Sequence, residues 1–543
     1  MNYYLDGGAN TPQWKTFRHN GPYFPPKYQS HNIPIIFNNN KITLNDDLEE
    51  KITAYTKYID TDYINNPRFT KNFYNNIKKD LTKYNINSIQ EFYSIDFSLI
   101  KNHLNSIKQQ KLQLSKEQKQ QIKDEQIQIE EPYSFVQIDS QQQKVGNFKI
   151  EPPGIFLGRG SHPKIGMWKD RIFPSDVTLN LDKAAPIPKP NLYSTMKWKQ
   201  IVHIPESIWL AAWKDNITGK TKYIFPSVES TFKTQSDMDK FDLARKLKRN
   251  IGKIKQQFTD DINSNDIITK QHATALYLID LLAIRVGTKK DTKKQADTVG
   301  VTNLRVEHIS FPNDNTVKLD FLGKDSVRFC KVFTVEPNIF NNLKLFTQNK
   351  NNKIDLFDKI TSNSLNNYLK NFMQNLSAKV WRTYKASSLF QKELNKIKLE
   401  EVKDMDENTK INYLLTRFNH ANSQVALLCN HQKNISKNFD TQIDKIKDRI
   451  KKYKLKLKKI KKTKNNQIKI KNIKNKIIVL KSKLNNKTKM KNVSLGTSKT
   501  NYIDPRIIIS FAKKFDIPLE KLFTKTLLNR FERATHVDKD YKF

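Results

Sequence analysis

The sequence predicts a multidomain α+β protein, because the spacing of its apolar residues changes along the chain. Residues 146–236 place clustered Gly and Pro between short strand-like runs, whereas residues 237–433 show mostly helical spacing. Residues 434–490 repeat apolar side chains at heptad intervals and are strongly basic. At 543 residues the chain can form about two to four domains, each with its own hydrophobic core.

The charge of the chain indicates a polyanionic partner. Lysine and arginine number 96 against 54 aspartates and glutamates, which gives a formal net charge of +42. Such an excess is typical of proteins that bind nucleic acid. The sequence shows neither a signal peptide nor an apolar run of membrane-spanning length, so we expect neither secretion nor membrane insertion. Two cysteines, Cys330 and Cys429, fit a reducing compartment without a disulfide framework.

The segments before residue 146 are predicted to alternate loops and helices. Residues 1–30 are rich in aromatic residues, Gly and Pro, which indicates an extended, packed segment. Residues 31–120 mix Asn-rich loops with helical stretches that carry aromatic side chains. Ser115–Glu131 is polar and contains neither Pro nor Gly, so we expect a long solvated helix there.

The next segments add strands and then helices. Trp198–His203 and Trp209–Trp213 have the composition of strands, and Asp215–Gly219 has that of a hairpin turn. Beyond them, Leu276–Ile284 is an apolar helix core within the mainly helical segment. That segment also contains a predicted pair of strands, joined by a Gly-Lys-Asp-Ser turn. These two strands are Val317–Leu322 and Val327–Phe333.

Residues 434–490 predict an antiparallel helical hairpin, because two heptad stripes flank the polar stretch Thr463–Asn466. At 1.5 Å per residue, each arm would extend roughly 30 Å. The segment holds 21 lysines and arginines against 3 aspartates, a net charge of +18. We therefore expect a solvated coiled coil that lies near a polyanion, for which a DNA backbone is the simplest candidate. The stripes are Phe439, Ile443, Ile446, Ile450, Tyr453, Leu457 and Ile460, then Ile470, Ile473, Ile477, Leu480 and Leu484.

Tyr502 is a candidate nucleophile toward a phosphate, because it lies in the polar, basic segment Gly496–Arg506, which is predicted to be a loop. Breaking a phosphodiester without water or metal requires a nucleophile, cations around the non-bridging oxygens, an acid for the leaving oxygen and in-line geometry. The sequence shows neither a carboxylate cluster for metal nor a nucleotide-binding loop. Cys429 and His431 lack a second pair for zinc. We therefore expect covalent chemistry with no metal or cofactor.

Six motifs, taken in order, are similar to one known family. They are Ile150–Gly166, Asp297–His308, Asp320–Ser326, Ala378–Tyr384, Leu428–Gln432 and Gly496–Arg506. In order and spacing they resemble the eukaryotic-type (nuclear) type IB DNA topoisomerases, over nearly the whole chain. That family carries a long charged N-terminal extension, and this chain is expected to begin near the start of the folded core.

The resemblance implies a DNA clamp with five parts. Residues 1–30 and 121–236 would form a core cap lobe of mixed strands and helices that contacts the DNA backbone. Residues 31–120 would form a second cap lobe, also of mixed strands and helices. The other parts would be a mostly helical, tyrosine-recombinase-like catalytic domain (237–433), a basic antiparallel coiled-coil linker (434–490) and a small helical C-terminal domain with the nucleophile (491–543).

The resemblance also assigns five catalytic residues. Tyr502 would be the nucleophile, and Lys324 the general acid for the leaving 5′ oxygen. Arg285, Arg382 and His431 would hold the non-bridging phosphate oxygens. On residue type alone, Arg285 could be a helix-end arginine, Lys324 a solvated turn lysine and His431 a structural histidine. Their catalytic roles therefore rest on the family positions.

Further positions are implied to contact DNA. Arg159, Asp325 and Asn501 match positions that line the pocket for camptothecin-class inhibitors, and basic residues of the first motif match contacts to the DNA backbone. The implied DNA-binding residues are Arg159, His162, Lys164, Lys169, Asp325 and Asn501.

The activity implied by the resemblance is relaxation of supercoiled DNA. One strand of the duplex would be cleaved through a 3′-phosphotyrosine intermediate, rotate, and be religated, so that positive and negative supercoils relax without ATP or metal. The protein would act as a monomer clamped around double-stranded DNA. Its expected location is the nucleus, or a viral factory or virion if a virus encodes it.

Two other functions share some of these features. A tyrosine recombinase or integrase uses the same Arg, Lys, Arg, His and Tyr chemistry, but usually has His-x-x-Arg where this chain has Lys379-x-x-Arg382, and lacks the basic hairpin. A non-catalytic DNA-packaging protein would also be basic and contain a coiled coil. Covalent trapping separates the enzymes from the packaging protein, and supercoil relaxation separates the topoisomerase from the recombinase.

Overall fold

The structure is a computed structural model that describes residues 12–433, 435, 438–461 and 467–543. The chain divides into two compact units, each containing helices and strands, as the predicted α+β class requires. The first unit comprises Met1–Lys233 and Lys290–Asp297, and the second Thr234–Lys289 and Thr298–Phe543. Among the described helices, none is long and apolar enough to cross a membrane.

The first unit contains several small sheets and a group of helices. Its strands are β1 (Phe17–His19), β2 (Ile35–Phe37), β3 (Asn40–Ile42), β4 (Phe135–Ile138), β5 (Gln141–Lys144), β6 (Gly154–Ile155), β7 (Trp168–Lys169), β8 (Thr178–Asn180), β9 (Gln200–Val202), β10 (Ala211–Lys214) and β11 (Thr221–Ile224). Its helices are α1 (Asp46–Thr56), α2 (Pro67–Leu81), α3 (Ile89–Tyr93), α4 (Ser98–Gln113) and α5 (Lys116–Glu130).

The largest sheet of this unit has the strand order β11-β10-β8-β9, in which β8 and β9 are parallel and the other pairs antiparallel. Its inward-facing side chains, such as Leu179 and Ile224, pack with Trp14 and Phe17 in one apolar cluster. The predicted turn at 215–219 joins β10 to β11, as expected from its composition. Both predicted strand runs contain or overlap a strand, β9 and β10 respectively.

A second apolar cluster of the first unit is strongly aromatic. Tyr55 stacks on Phe73 with ring centroids 4.6 Å apart, and Phe69 and Phe92 are among its other ring contacts. Stacked and edge-to-face rings bury large apolar areas in a small lobe, which explains the aromatic helices expected from residues 31–120. Helix α5 shows no buried residue, so the predicted solvated helix is confirmed.

The second unit is mostly helical around one hydrophobic core. Its helices are α6 (Thr231–Ile262), α7 (Ile267–Leu282), α8 (Pro337–Thr347), α9 (Ser362–Phe372), α10 (Ala378–Leu394), α11 (Glu407–Leu428), α12 (Phe439–Lys461), α13 (Gln467–Lys489), α14 (Leu495–Asn501), α15 (Pro505–Phe515) and α16 (Lys525–Arg530). Its strands are β12 (Ile309–Asn313), β13 (Thr316–Leu322) and β14 (Arg328–Thr334), which form one antiparallel sheet in that order.

The core of this unit fixes α10 against α7. Trp381 of α10 is fully buried, and its indole nitrogen donates to Asp280 of α7 over 3.0 Å. The predicted apolar helix and the predicted strand pair correspond to α7 and to β13 with β14, so those predictions are confirmed. Because α10 carries Arg382 one residue after this anchor, the packing determines where that guanidinium lies.

Helices α12 and α13 lie against each other. Ile446, Ile450 and Leu480 form a small apolar cluster from the predicted stripes. Lys487, near the end of α13, donates over 2.5 Å to Gln442, near the start of α12, so the helices run antiparallel. The polar stretch predicted to form their turn, Thr463–Asn466, lies outside the described residues.

Helix α13 also contacts the rest of the second unit. Asn486 donates over 3.1 Å to the carbonyl oxygen of Thr416 in α11. Val479, which is outside the heptad stripe, is buried as well. The stripes of α12 and α13 contact each other, as expected, and a second face of α13 is in addition covered by α11.

Candidate active site

The backbone around Arg285 is fixed by the end of α7 and by a close chain crossing. Helix α7 ends because Ala283 adopts a left-handed conformation, with φ of 49°, while its N–H donates to Ile279. The carbonyl oxygen of Arg285 accepts a 2.8 Å bond from the N–H of Val301. A Cβ atom at Gly300 would lie 2.5 Å from that oxygen, so only glycine allows the two segments to approach so closely.

Lys324 lies in the turn between β13 and β14. The turn is tight because Asp325 and Ser326 both have positive φ, 66° and 59°. Next to this turn the guanidinium of Arg328 donates two bonds, of 2.8 and 2.6 Å, to Asp320. These bonds hold the pKa of the Asp320 carboxyl at about 2. Lys324 is therefore exposed at the tip of a hairpin, and a charged pair joins the two strands next to that tip.

The same hairpin is bonded to the segment that carries His431. The carbonyl oxygen of Arg328 accepts 3.3 Å bonds from the side-chain amides of Asn430 and Gln432. These residues flank His431, so the hairpin of Lys324 and the histidine segment are held next to each other.

Arg382 connects three parts of the site through one buried guanidinium, which is only 3% exposed. Its Nε donates to the carbonyl oxygen of Ala283 over 2.6 Å, and its Nη2 donates to that of Cys429 over 3.3 Å. Its Nη1 donates to the phenol oxygen of Tyr502 over 2.8 Å. The planar donor fork of arginine reaches these three acceptors from three separate nitrogens, whereas the N–H groups of a lysine all lie on one nitrogen.

His431 follows α11 through a left-handed residue, Asn430, with φ of 53°. The N–H of His431 donates to the carbonyl of Ala426 over 2.8 Å, which caps the helix end. Its Nδ1 lies 2.7 Å from the hydroxyl of Ser498, whereas its Nε2 is buried without a hydrogen-bond partner among the described residues. Burial, followed by the charges of Arg382 and Arg285, lowers the pKa of His431 to about 3, so the ring is neutral near pH 7.

Tyr502 lies at the C-terminal end of α14, where its N–H donates to the carbonyl of Ser498 over 2.9 Å. The prediction of a loop before Tyr502 was wrong, because residues 495–501 form this helix. Gly and Asn have low helix propensity, but α14 packs against α11, and tertiary contacts override propensity. The ring is 5% exposed, and the guanidinium carbon of Arg382 lies 4.7 Å from its centroid.

Four of the predicted catalytic side chains line one small cavity of about 120 Å³ in the second unit: Arg285, Lys324, Arg382 and His431. Tyr502 is joined to this group through its bond from Arg382. Asp325 and Thr497 also line the cavity. Three cationic side chains and a neutral imidazole, one nitrogen of which has no hydrogen-bond partner among the residues that the structure describes, thus line a space suited to an anion with several oxygens, such as a phosphodiester.

The predicted DNA contacts of the first motif lie in the first unit. Arg159 is exposed and stands between two glycines with positive φ, 61° and 56°. His162 is 8% exposed, its ring lies 4.8 Å from that of Phe156, and its Nδ1 accepts the N–H of Lys164 over 3.1 Å. Lys164 and Lys169 donate to the carbonyl of Ile217 and to Glu151, respectively.

Asn501 lies in the second unit, one residue before Tyr502. Its carbonyl oxygen accepts a 3.1 Å bond from the ammonium of Lys240, and its side-chain amide donates to Thr497 over 3.2 Å. The backbone at Asn501 is therefore held from α6.

Two serines of the site have no counterpart in the sequence prediction. Ser498 contacts His431, and Ser387 donates to the carbonyl of Tyr502 over 3.0 Å while accepting the N–H of Asp504 over 3.0 Å. Ser498 precedes Tyr502 by four residues, the spacing of neighbours on one helix face. That spacing could have indicated Ser498 only if the segment had been recognised as helical.

Three family models match consecutive parts of the chain. "Eukaryotic DNA topoisomerase I, DNA binding fragment" matches residues 12–226, "Eukaryotic DNA topoisomerase I, catalytic core" matches 229–464, and "C-terminal topoisomerase domain" matches 474–543.

Known proteins are similar over nearly the whole chain. "DNA topoisomerase 1 beta" of Arabidopsis thaliana is 37% identical over 99% of this chain and 60% of its own length. "DNA topoisomerase 1" of Caenorhabditis elegans is 38% identical over 98% of this chain and 68% of its own length. The Homo sapiens protein of that name is 36% identical over 98% of this chain and 72% of its own length. The chain therefore spans between 60% and 72% of the length of these relatives.

Proposed function

The chain belongs to the eukaryotic DNA topoisomerase I family, and from this we propose that it is a type IB DNA topoisomerase acting on double-stranded DNA. It relaxes positive and negative supercoils by cleaving and rejoining one strand, without ATP or metal. The observation that supports this most directly is the cavity lined by Arg285, Lys324, Arg382 and His431, with Tyr502 bonded to Arg382.

In the proposed cleavage step, the phenol oxygen of Tyr502 attacks the phosphorus of a backbone phosphodiester. A bond forms between phosphorus and the phenol oxygen, and the bond between phosphorus and the 5′ oxygen breaks. Arg382 already donates to the phenol oxygen, so its charge stabilises the negative charge that develops there as the phenol proton passes to water. Lys324, at the tip of its hairpin, donates a proton to the departing 5′ oxygen.

The non-bridging oxygens gain negative charge in this step. Arg285 and Arg382 supply guanidinium donors for them. His431, which also lines the cavity, supplies the remaining donor through Nε2, a buried nitrogen that has no hydrogen-bond partner within the described part of the chain.

Religation reverses the same bonds. The 3′-phosphotyrosine link is a phosphodiester, so the 5′ hydroxyl can attack it at little change in bond energy, and no ATP is needed. Between the two steps the free 5′ end can rotate about the intact strand. The basic helices α12 and α13, within a segment of net charge +18, lie near the turning DNA and slow its rotation.

We further propose that the protein acts as a monomer that clamps around the duplex, with backbone contacts from Arg159, His162, Lys164 and Lys169. Asp325 and Asn501 contact DNA beside the cleavage site, and camptothecin-class inhibitors are candidate ligands of the protein. Family membership supports a nuclear location, or a viral one if a virus encodes the chain.

The test is relaxation of plasmid DNA in the presence of EDTA and without nucleotide. Negatively and positively supercoiled plasmids should both be relaxed, and denaturing gels should show a protein–DNA adduct. A strict requirement for magnesium or ATP would contradict the proposal. Adduct formation without relaxation would favour a recombinase, and DNA binding with neither would favour a packaging protein.

A further inference from the structure

The two ring nitrogens of His431 have different surroundings. Nδ1 lies 2.7 Å from the hydroxyl oxygen of Ser498, whereas Nε2 is buried with no partner among the described residues. Ser498 itself is fully buried, and its hydroxyl makes no other hydrogen bond within the described part of the chain. A buried pair of this kind stays in place because neither group can exchange its partner for water.

A neutral imidazole carries its hydrogen on one nitrogen only. If the hydrogen were on Nδ1, Nε2 would carry a lone pair and could not donate to a phosphate oxygen. If it is on Nε2, that nitrogen donates and Nδ1 must accept from a neighbour. The ring of His431 is neutral near pH 7, because burial and two nearby guanidiniums lower its pKa and so disfavour its charged form.

We propose that Ser498 is a positioning residue for strand cleavage: its hydroxyl donates to Nδ1 of His431 and so keeps the ring hydrogen on Nε2, facing the scissile phosphate. This rests on the proposed function of the cavity. Ser498 acts through the histidine and does not itself touch the phosphate.

Ser498 also contacts the backbone of the candidate nucleophile. Its carbonyl oxygen accepts the N–H groups of Tyr502 and Ile503, over 2.9 and 3.0 Å. The residue that fixes the hydrogen of His431 therefore also fixes the backbone of Tyr502. A shift of α14 would disturb the attacking oxygen and the phosphate donor together.

The first test reads the tautomer directly and needs no DNA. Full-length protein labelled with ¹⁵N-histidine is compared with its Ser498→Ala variant by NMR, with His431→Gln identifying the signal. We expect the Nε2–H form of His431 in the unsubstituted protein, and a mixed or reversed tautomer in the variant. An Nδ1–H form in the unsubstituted protein, or an unchanged signal in the variant, overturns the proposal.

The second test is a double-mutant cycle on single-turnover cleavage. Ser498→Ala should slow cleavage about tenfold, less than the roughly hundredfold expected for loss of a transition-state donor in His431→Gln. In the His431→Gln background, Ser498→Ala should cause no further loss, because its effect passes through the histidine. If the double variant instead loses the product of the two single losses in cleavage rate, the proposal is overturned.

Ser510→Ala is the matched control for this cycle. Ser510 is also a buried helical serine, but its hydroxyl donates to the carbonyl of Lys539 over 2.8 Å. The Ser510→Ala variant should cleave DNA at the rate of the unsubstituted protein, and thermal melting should show that all variants are folded. If the unsubstituted protein forms no adduct, the proposed function fails, while the NMR result still decides the role of Ser498.

Discussion

The phenol oxygen of Tyr502 accepts a 2.8 Å hydrogen bond from the same guanidinium whose Nε donates to the carbonyl of Ala283. Arg382 therefore connects the candidate nucleophile to the end of α7, two residues before Arg285. This bond orients the phenol oxygen of Tyr502. The effect of each residue of the cavity on cleavage can therefore be measured with its own substitution.

We expect Tyr502→Phe to abolish covalent cleavage while DNA binding is retained, because only the attacking oxygen is removed. Denaturing gels measure the adduct, and gel shift on a plain duplex measures binding. Tyr413→Phe is a matched control, since Tyr413 donates its hydroxyl to Glu401 and does not line the cavity. An adduct formed by Tyr502→Phe would assign the nucleophile to another tyrosine.

Arg382→Lys should slow cleavage about a hundredfold, because lysine keeps the charge but not the planar fork. The same change should lower the free energy of unfolding by about 1–3 kcal/mol, since buried carbonyls of Ala283 and Cys429 lose a donor. Single-turnover cleavage and urea denaturation measure the two effects.

Arg328→Lys provides the comparison for that variant. Arg328 also makes a two-point bond, to Asp320, but its side chain is 67% exposed. It should therefore change cleavage little. Similar losses in both variants would mean that any broken arginine fork slows the enzyme, and that the contact with Tyr502 has no special role.

Lys324→Ala should slow cleavage of ordinary DNA, because the departing 5′ oxygen then lacks a proton donor. A substrate with sulfur in place of the 5′-bridging oxygen should restore the rate, since a thiolate leaves without a proton. The measurement is the ratio of single-turnover rates on the two substrates. Equal defects on both would contradict the role of general acid.

The locations of these residues could be predicted from the sequence because each belongs to a short motif. Arg285, Lys324 and Arg382 stand next to local signals: a helix end, a strand turn and a helix start. Their convergence depends on packing between distant segments, such as the buried Trp381 held by Asp280, and no local pattern contains that information. The family resemblance, and not a local pattern, predicted that these residues share one site.

The features that sequence reasoning missed are all long-range. Ser498 meets His431 across 67 positions of the chain, and helix α14 forms because it packs against α11, not because its residues favour a helix. The heptad stripes predicted the helices α12 and α13, since periodicity is local. They could not predict the contact of α13 with α11, which depends on Asn486 and Thr416.

The low pKa of His431 should make the stability of the protein depend on pH. In the unfolded chain a histidine takes up a proton as the pH falls through about 6.5, whereas folded His431 does so only near a pKa of about 3. Between these values the unfolded state binds more protons. The stability contribution is therefore fully present above about pH 6.5 and is lost as the pH falls toward 3.

His431→Gln cannot take up this proton, so it should lose less stability on acidification. Between about pH 7.5 and about pH 5 we expect it to lose about 2 kcal/mol less than the unsubstituted protein, by urea denaturation. His19, whose pKa is lowered to about 4 by burial, is present in both proteins and cancels in the comparison. Equal losses would mean that folded His431 titrates normally.

Residues 434–490 should modulate rotation without being required for cleavage. The bonds that close the base of this segment lie outside it: Gln432 bridges to Val493, and the N–H of Lys433 donates to Asn492 over 2.8 Å. Replacing the segment by a short Gly-Ser spacer should therefore keep His431 and Tyr502 in place. The shortened protein should still cleave and religate, as should a protein whose residues 491–543 are supplied separately.

Relaxation by the shortened protein should be less processive, because +18 of charge near the DNA is lost. Removing the packing of α13 on α11 should also lower stability, so charge must be separated from packing. A second variant replaces exposed Lys451, Lys458, Lys474 and Lys481 by Gln and keeps the apolar stripes. Rotation in this variant should be faster and DNA binding weaker, while thermal melting stays close to that of the unsubstituted protein.

The salt dependence of DNA binding distinguishes the two roles of the segment. Each lysine that pairs with a phosphate contributes about 0.9 to the slope of log affinity against log salt, so a smaller slope shows how many phosphates a variant leaves unpaired. If the slope falls equally in the charge variant and the shortened protein, the effect on rotation is electrostatic. If only the shortened protein changes, the packing of α13 on α11 sets the rotation rate. Loss of cleavage in a folded shortened protein would place part of the catalytic geometry in residues 434–490.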